Sequence, residues 1–189
     1  MCGNIVQIDG ARYAELFGVN GAVKAPAHYS RVPGHDILAV RADGTGGREL
    51  LFMRWGMSPA WMGDNGRVLY NARWETLGYK PTFVDSFRHR RCIVPMEGFF
   101  EWQVGAGGGR RPCLIQRRDG QIIAAAGLWM QQDRPVCVVV TGVSQPSIGW
   151  VHDRMPLILG VEDYAEWLNP HVESPSVKAL VADLTVRNI

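Results

Sequence analysis

The chain has 189 residues, of which 47% are hydrophobic and 20% charged, with a formal net charge of +2. That length and composition predict one soluble globular domain over residues 1–189 with a single sizeable core. The near balance of charge excludes a polycationic binder, and no apolar run is long enough to span a bilayer.

Met1 to Gly10 lacks the basic start and long apolar run of a secretory leader, which places the protein in the cytoplasm, where thiols stay reduced. The basic residues are nearly all arginine, with Lys24, Lys80 and Lys178 the exceptions. Arginine's planar fork fits phosphate and carboxylate, although genome composition alone gives the same bias. The cysteines are Cys2, Cys92, Cys113 and Cys137, with no CxxC spacing. A zinc knuckle or redox motif is therefore not expected, and neither a metal nor a cofactor is predicted. Cys92, Cys113 and Cys137 sit in apolar runs and read as core.

In chain order, Met1-Cys2-Gly3-Asn4 comes first. A small second residue exposes Cys2 to methionine aminopeptidase. The mature terminus then carries an amine and a thiol on adjacent carbons, with ordinary pKa values of about 7.7–8.0 and about 8.5. Such a pair closes on an aldehyde through a Schiff base to a five-membered thiazolidine. Ala11–Phe17 reads as a helix capped by Asp9 and ended by Gly18. Ala22–Gly34 reads as an extended loop. Ile37–Arg41 and Glu49–Arg54 form a hairpin across a Gly-rich turn. Trp55 to Trp61 is a non-periodic aromatic loop. Thr82–His89 is a short helix. Arg91–Pro95 and Gly98–Val104 are strands, and the Gly105–Gly109 run is a flexible hairpin tip. Pro112–Arg117 and Gln121–Leu128 read as a second hairpin turned at Asp119-Gly120. Val136–Thr141 is a strand buried on both faces. Met155–Leu159 is a strand and Asp163–Leu168 a helix. Ser174-Pro175 opens a last helix with Val177, Leu180, Val181 and Leu184 on one face. Strands outnumber helices. The expected fold is α+β, a mostly antiparallel, barrel-like sheet with a few short flanking helices.

Four polar islands stand in apolar surroundings: Cys2, Asn71-Ala72-Arg73, Glu101 and His152-Asp153-Arg154. Glu101 alternates with Phe100 and Trp102. In a partly dry pocket it would serve as an acid near neutral pH, but alternation alone favours an outer, water-facing position. His152 beside an acid could shuttle a proton, and a lone loop histidine is otherwise a surface residue. Cysteine with histidine also permits a thiol hydrolase.

Six segments occur in order: Met1-Cys2-Gly3, Trp55-Gly56 with Pro59 and Trp61, Asn71 to Thr76, Arg91 to Pro95, Gly98 to Trp102, and His152 to Pro156. Together they resemble the SRAP family (SOS-response-associated peptidases), from Cys2 to about Leu159. The resemblance implies the SRAP-like fold and a monomer that binds single-stranded DNA carrying an abasic site, including at single-/double-strand junctions. It implies capture of the opened sugar by Cys2 as a thiazolidine crosslink that protects the lesion. By similarity Asn71 orients the linkage, Glu101 assists ring opening and Schiff-base proton transfers, and His152 moves protons at the sugar hydroxyl. Arg73 and Arg154 would hold phosphates, with Trp55, Trp61 and Thr141 as further DNA contacts. Two other readings stand beside it: a thiol peptidase and a non-covalent single-strand binding module. The chain departs from the family pattern at Asn4, where arginine is usual, and at Ser30 in Tyr29-Ser30-Arg31-Val32-Pro33. It also stops at Ile189, where relatives often continue, so a C-terminal strand or tail is expected to be missing.

Overall fold

A computed structural model of the chain describes residues 2–19, 28–59, 68–105 and 107–189, with His28 and Tyr29 by their backbone alone. Among these residues, twelve strands and three short helices make an α+β protein dominated by antiparallel pairing. One sheet has five strands: β12 (Leu184–Asn188), β8 (Arg110–Arg117), β7 (Gly98–Val104), β1 (Ile5–Gln7) and β2 (His28–Arg31), in that spatial order. The other is built on β3 (Asp36–Ala42), β4 (Arg48–Trp55), β6 (Arg91–Met96), β9 (Ile123–Gln131) and β10 (Pro135–Val143). Because β10 bonds to β4 on one side and β9 on the other, these five strands close into the expected barrel. β5 (Asn71–Arg73) and β11 (Arg154–Pro156) flank the second half of β10, the first parallel to it and the second antiparallel.

The β10 sequence explains its central place. Val136 to Thr141 is a β-branched run that is buried throughout, as suits a strand covered on both faces. Val136, Val138 and Val140 pack in a core with Leu38, Val40 and the helix residues Tyr13, Phe17 and Trp167. Cys137 and Val139 pack on the other side with Ile37, Trp55, Cys2, Ile5 and Phe99, where the five-stranded sheet closes over the barrel.

Local signals set the first helix. In α1 (Gly10–Phe17) the Asp9 side chain accepts from the Ala11 and Arg12 amides, and Gly18, at φ 63°, turns the chain out. Gly98 is needed where β7 meets β8, because a Cβ there would lie 2.7 Å from the Ile115 carbonyl oxygen. Between the sheets, buried Gln7 donates to the carbonyls of Leu38 (2.9 Å) and Pro95 (2.7 Å) and accepts from the Leu38 amide (2.9 Å). It thereby ties β1 to β3 and β6 where those two strands share a single pairing, Val40 with Ile93.

Four sequence expectations are corrected. The strands around Asp119-Gly120 form no hairpin: β8 joins β7 and β12 in one sheet, and β9 joins β6 and β10 in the other. The turn exists, with Gly120 at φ 68°, but it carries the chain between sheets. The apolar β9, buried from Ile123 to Leu128, has to be flanked on both sides. The predicted last helix is absent. The Leu180 amide bonds to the Ile158 carbonyl (2.8 Å) instead of to a helical partner, and Val181, expected on the apolar face, is 81% exposed. Of the C-terminal strand or tail expected to be missing, a strand is present as β12, whose first residue, Leu184, was expected to lie in that helix. Within Ala22–Gly34, residues 28–31 form a strand rather than loop, while 20–27 lie outside the described residues. The predicted helix near His89 is α2 (Val84–His89), and α3 (Tyr164–Leu168) follows a 3-10 turn at Val161–Asp163.

Candidate active site

β1, β5, β7 and the segment before β11 bring the polar islands together. The Phe100 amide bonds to the Asn4 carbonyl (2.8 Å), which carries Cys2 alongside β7. From β5, the Asn71 Nδ2 donates to the Cys2 carbonyl at 2.7 Å, while its buried Oδ1 has no partner among the described residues. Two departures from the family pattern meet here: the Ser30 hydroxyl donates to Asn4 Oδ1 (3.0 Å), fastening β2 to the stretch just after Cys2.

Cys2 is fully buried. Burial, then the negative field of Glu101, pushes its thiol far above the ordinary value, against a smaller pull from the Asn4 amide. With Met1 attached, the sulfur is therefore protonated at neutral pH. Glu101 corrects an expectation. It is 2% exposed and faces inward, sharing its face of the sheet with Phe99 and, across the ladder, Cys113, both packed in the core. Burial raises its carboxyl, and the nearby His152 pulls it part of the way back. The His152 Nδ1 lies 2.8 Å from Asp153 Oδ1, a contact that selects the tautomer with the proton on Nδ1 and leaves Nε2 as the basic nitrogen.

Glu101 and His152 line an open cavity of about 350 Å³ together with Tyr70, Trp102, Val104 and Arg110. The last four were not among the residues singled out from the sequence. Trp102 adjoins Glu101 in the Gly98–Trp102 segment and could have been found there. Arg110 follows a glycine run and carries no such signal.

The phosphate candidates separate. Arg73 is exposed and shares a face of β5 with Asn71. Arg154 has a side chain only 12% exposed, and its fork is occupied by Glu75, at 2.6 and 2.9 Å, and by the Thr141 carbonyl. Hydrogen bonds from Arg154 hold the Glu75 carboxyl below its usual range. Glu75 lies in the Asn71–Thr76 segment, yet nothing in its sequence neighbourhood marks this role. Trp55 and Thr141 are corrected as surface contacts, because both are fully buried. Trp55 donates its indole N–H to the Tyr70 carbonyl (2.8 Å) and meets the Tyr70 ring edge-on, so it supports the cavity wall from behind. The Thr141 hydroxyl donates to the Ala72 carbonyl (3.4 Å). Trp61 lies outside the described residues.

A β-barrel capped by a second sheet, with a buried second-residue cysteine beside an inward carboxyl, is the architecture to set beside known proteins. A phage-related protein from Bordetella bronchiseptica superposes with a TM-score of 0.83 at 22% identity, covering 100% of this chain and 94% of that one. A protein from Bacteroides thetaiotaomicron gives 0.81 at 21% identity, covering 100% and 92%. The family model "SOS response associated peptidase (SRAP)" matches residues 1–189, and the chain belongs to that family. Among its relatives, the abasic site processing protein YoqW of Bacillus subtilis is 35% identical over 155 residues, 78% of this chain and 69% of the relative. The abasic site processing protein HMCES of Xenopus tropicalis is 31% identical over 172 residues, 75% of this chain and 51% of the relative.

Proposed function

We propose that this protein processes abasic sites, as its relatives' names say of them, by binding single-stranded DNA and capturing the opened sugar covalently through Cys2. The observation that best supports this is the pinning of a second-residue cysteine by Asn71 beside an inward carboxyl of raised pKa.

The chemistry follows from those placements. Protonated Glu101 donates to the ring oxygen of the sugar as its bond to C1′ breaks, and the C1′ hydroxyl gives up its proton toward His152, leaving an aldehyde. Removal of Met1 frees the Cys2 amine, which adds to C1′. Loss of the new hydroxyl as water leaves an iminium. The sulfur then bonds to C1′, its proton passing to the Glu101 carboxylate, and the iminium electrons return to nitrogen. One water is released, and both nucleophilic atoms end on one carbon. A buried, protonated thiol suits this order, since the amine does the first work and sulfur meets an activated electrophile. The same thiol argues against the peptidase reading, which requires a lowered thiol pKa and a free thiolate. Exposed Arg73 supplies phosphate attraction, and Trp102, 37% exposed at the cavity, offers a stacking face.

Intact-mass analysis after incubation with an abasic single-stranded oligonucleotide tests the proposal. Wild type is expected to gain the oligonucleotide mass less one water, and undamaged DNA is expected to give nothing. Equal adduct from Cys2→Ala would overturn it. Cys2→Ser keeps the amine and is expected to need reductive trapping to hold its imine.

A further inference from the structure

The β7–β8 hairpin carries a cation that no step of the capture uses. Arg110 is the first residue of β8, opposite Val104 at the end of β7, and it is exposed. It lines the same cavity as Glu101 and His152. No hydrogen bond or ion pair to a described residue occupies its guanidinium, unlike Arg154 on Glu75 or Arg117 on Asp119. Arg111 is equally exposed but does not line the cavity.

The placement matters because the other arginine predicted to hold phosphate beside Arg73 is already engaged. Arg154 has three of its N–H contacts committed to Glu75 and Thr141. Arg73 stands on β5, which belongs to the barrel sheet, whereas Arg110 stands on the other sheet. A polyanion lying over the cavity mouth between those two elements meets a cation from each sheet. The aromatic Trp102 sits between Glu101 and the hairpin end, where a base next to the lesion can stack.

Resting on the reading of this site as one for abasic single strands, we propose that Arg110 is a second phosphate contact, on the other sheet from Arg73. The bound strand then crosses from β5 over the cavity to the β7–β8 hairpin.

The test is fluorescence anisotropy of the full chain with a single-stranded oligonucleotide holding a tetrahydrofuran abasic analogue, which has no aldehyde and cannot crosslink. Each single-strand phosphate contact contributes about 0.7 to the slope of log K against log salt. Arg110→Gln is expected to lower that slope by about 0.7, which is about a fivefold loss of affinity at 0.1 M salt. Arg110→Lys is expected to keep the slope, and Arg111→Gln to leave it unchanged. An unchanged slope in Arg110→Gln overturns the proposal. So does an equal drop in Arg111→Gln, which would make the effect one of overall charge. Failure of wild type to form any abasic-dependent adduct would instead sink the functional reading itself.

Discussion

Glu101 is held where a carboxylate is least comfortable. Its pKa is raised in the folded protein, chiefly by burial. Folding therefore favours its protonated form. The associated stability is complete below the unfolded carboxyl value, about 4.3, and is lost as pH rises through the folded value. Glu101→Gln is expected to match wild type in denaturant midpoint near pH 4 and to exceed it increasingly toward neutral pH, while losing adduct formation. Equal midpoints at pH 4 and pH 8 would contradict that. Glu75 makes the converse case. Its carboxylate neutralises Arg154 and occupies its fork. Glu75→Gln frees that guanidinium, so affinity for undamaged single strands is expected to rise and the salt slope to steepen by up to about 0.7. Titrations between about 50 and 200 mM salt read this directly.

At the level of elements, Gln7 shows how one polar side chain substitutes for missing backbone pairing. It satisfies both a donor and two acceptors between sheets. Gln7→Leu leaves those groups unpaired in the core and is expected to cost about 2–3 kcal/mol, measured by urea unfolding. Patterns such as the β10 run and the Asp9 and Gly18 caps were legible because their causes are local: branching, side-chain reach and a positive φ. The partners of β8 and β9 were not. A turn sequence fixes where the chain bends but not which sheet the next strand enters, and that choice was made by β9's need for neighbours on both sides. The segment 174–183 carried a good helix start, yet a backbone bond from Leu180 to Ile158 prevailed over it. Within the site, Cys2, Asn71, Glu101 and His152 stood out as polar residues in apolar runs. Trp55 and Thr141, named through the resemblance alone, point into the core, an orientation that neighbouring sequence does not record.

Across the whole molecule, Arg91 joins the helices to the barrel. It is buried in β6 and donates to the carbonyls of Phe87, Arg88, Trp167, Asn169 and Val172, with its guanidinium over the Trp167 ring at 5.7 Å. Burial pulls its pKa down to about 10, still leaving it charged at neutral pH. Carbonyls ending α2 and α3 thus share one cation. Arg91→Met orphans them and is expected to lower stability by at least about 3 kcal/mol, seen as a fall in thermal midpoint with loss of cooperativity. The described residues contain no helix long and apolar enough to cross a membrane.

The strand that leads away from Cys2 is not at an edge: β1 lies between β2 and β7, antiparallel to both. A polymer fastened at Cys2 and hauled by a motor would tug β1 lengthwise and load both of its ladders in shear. Force would then unfold the domain only by tearing the five-stranded sheet, and a covalent bond at Cys2 would outlast even that, so release would fall to reversal of the bond or to digestion of the protein.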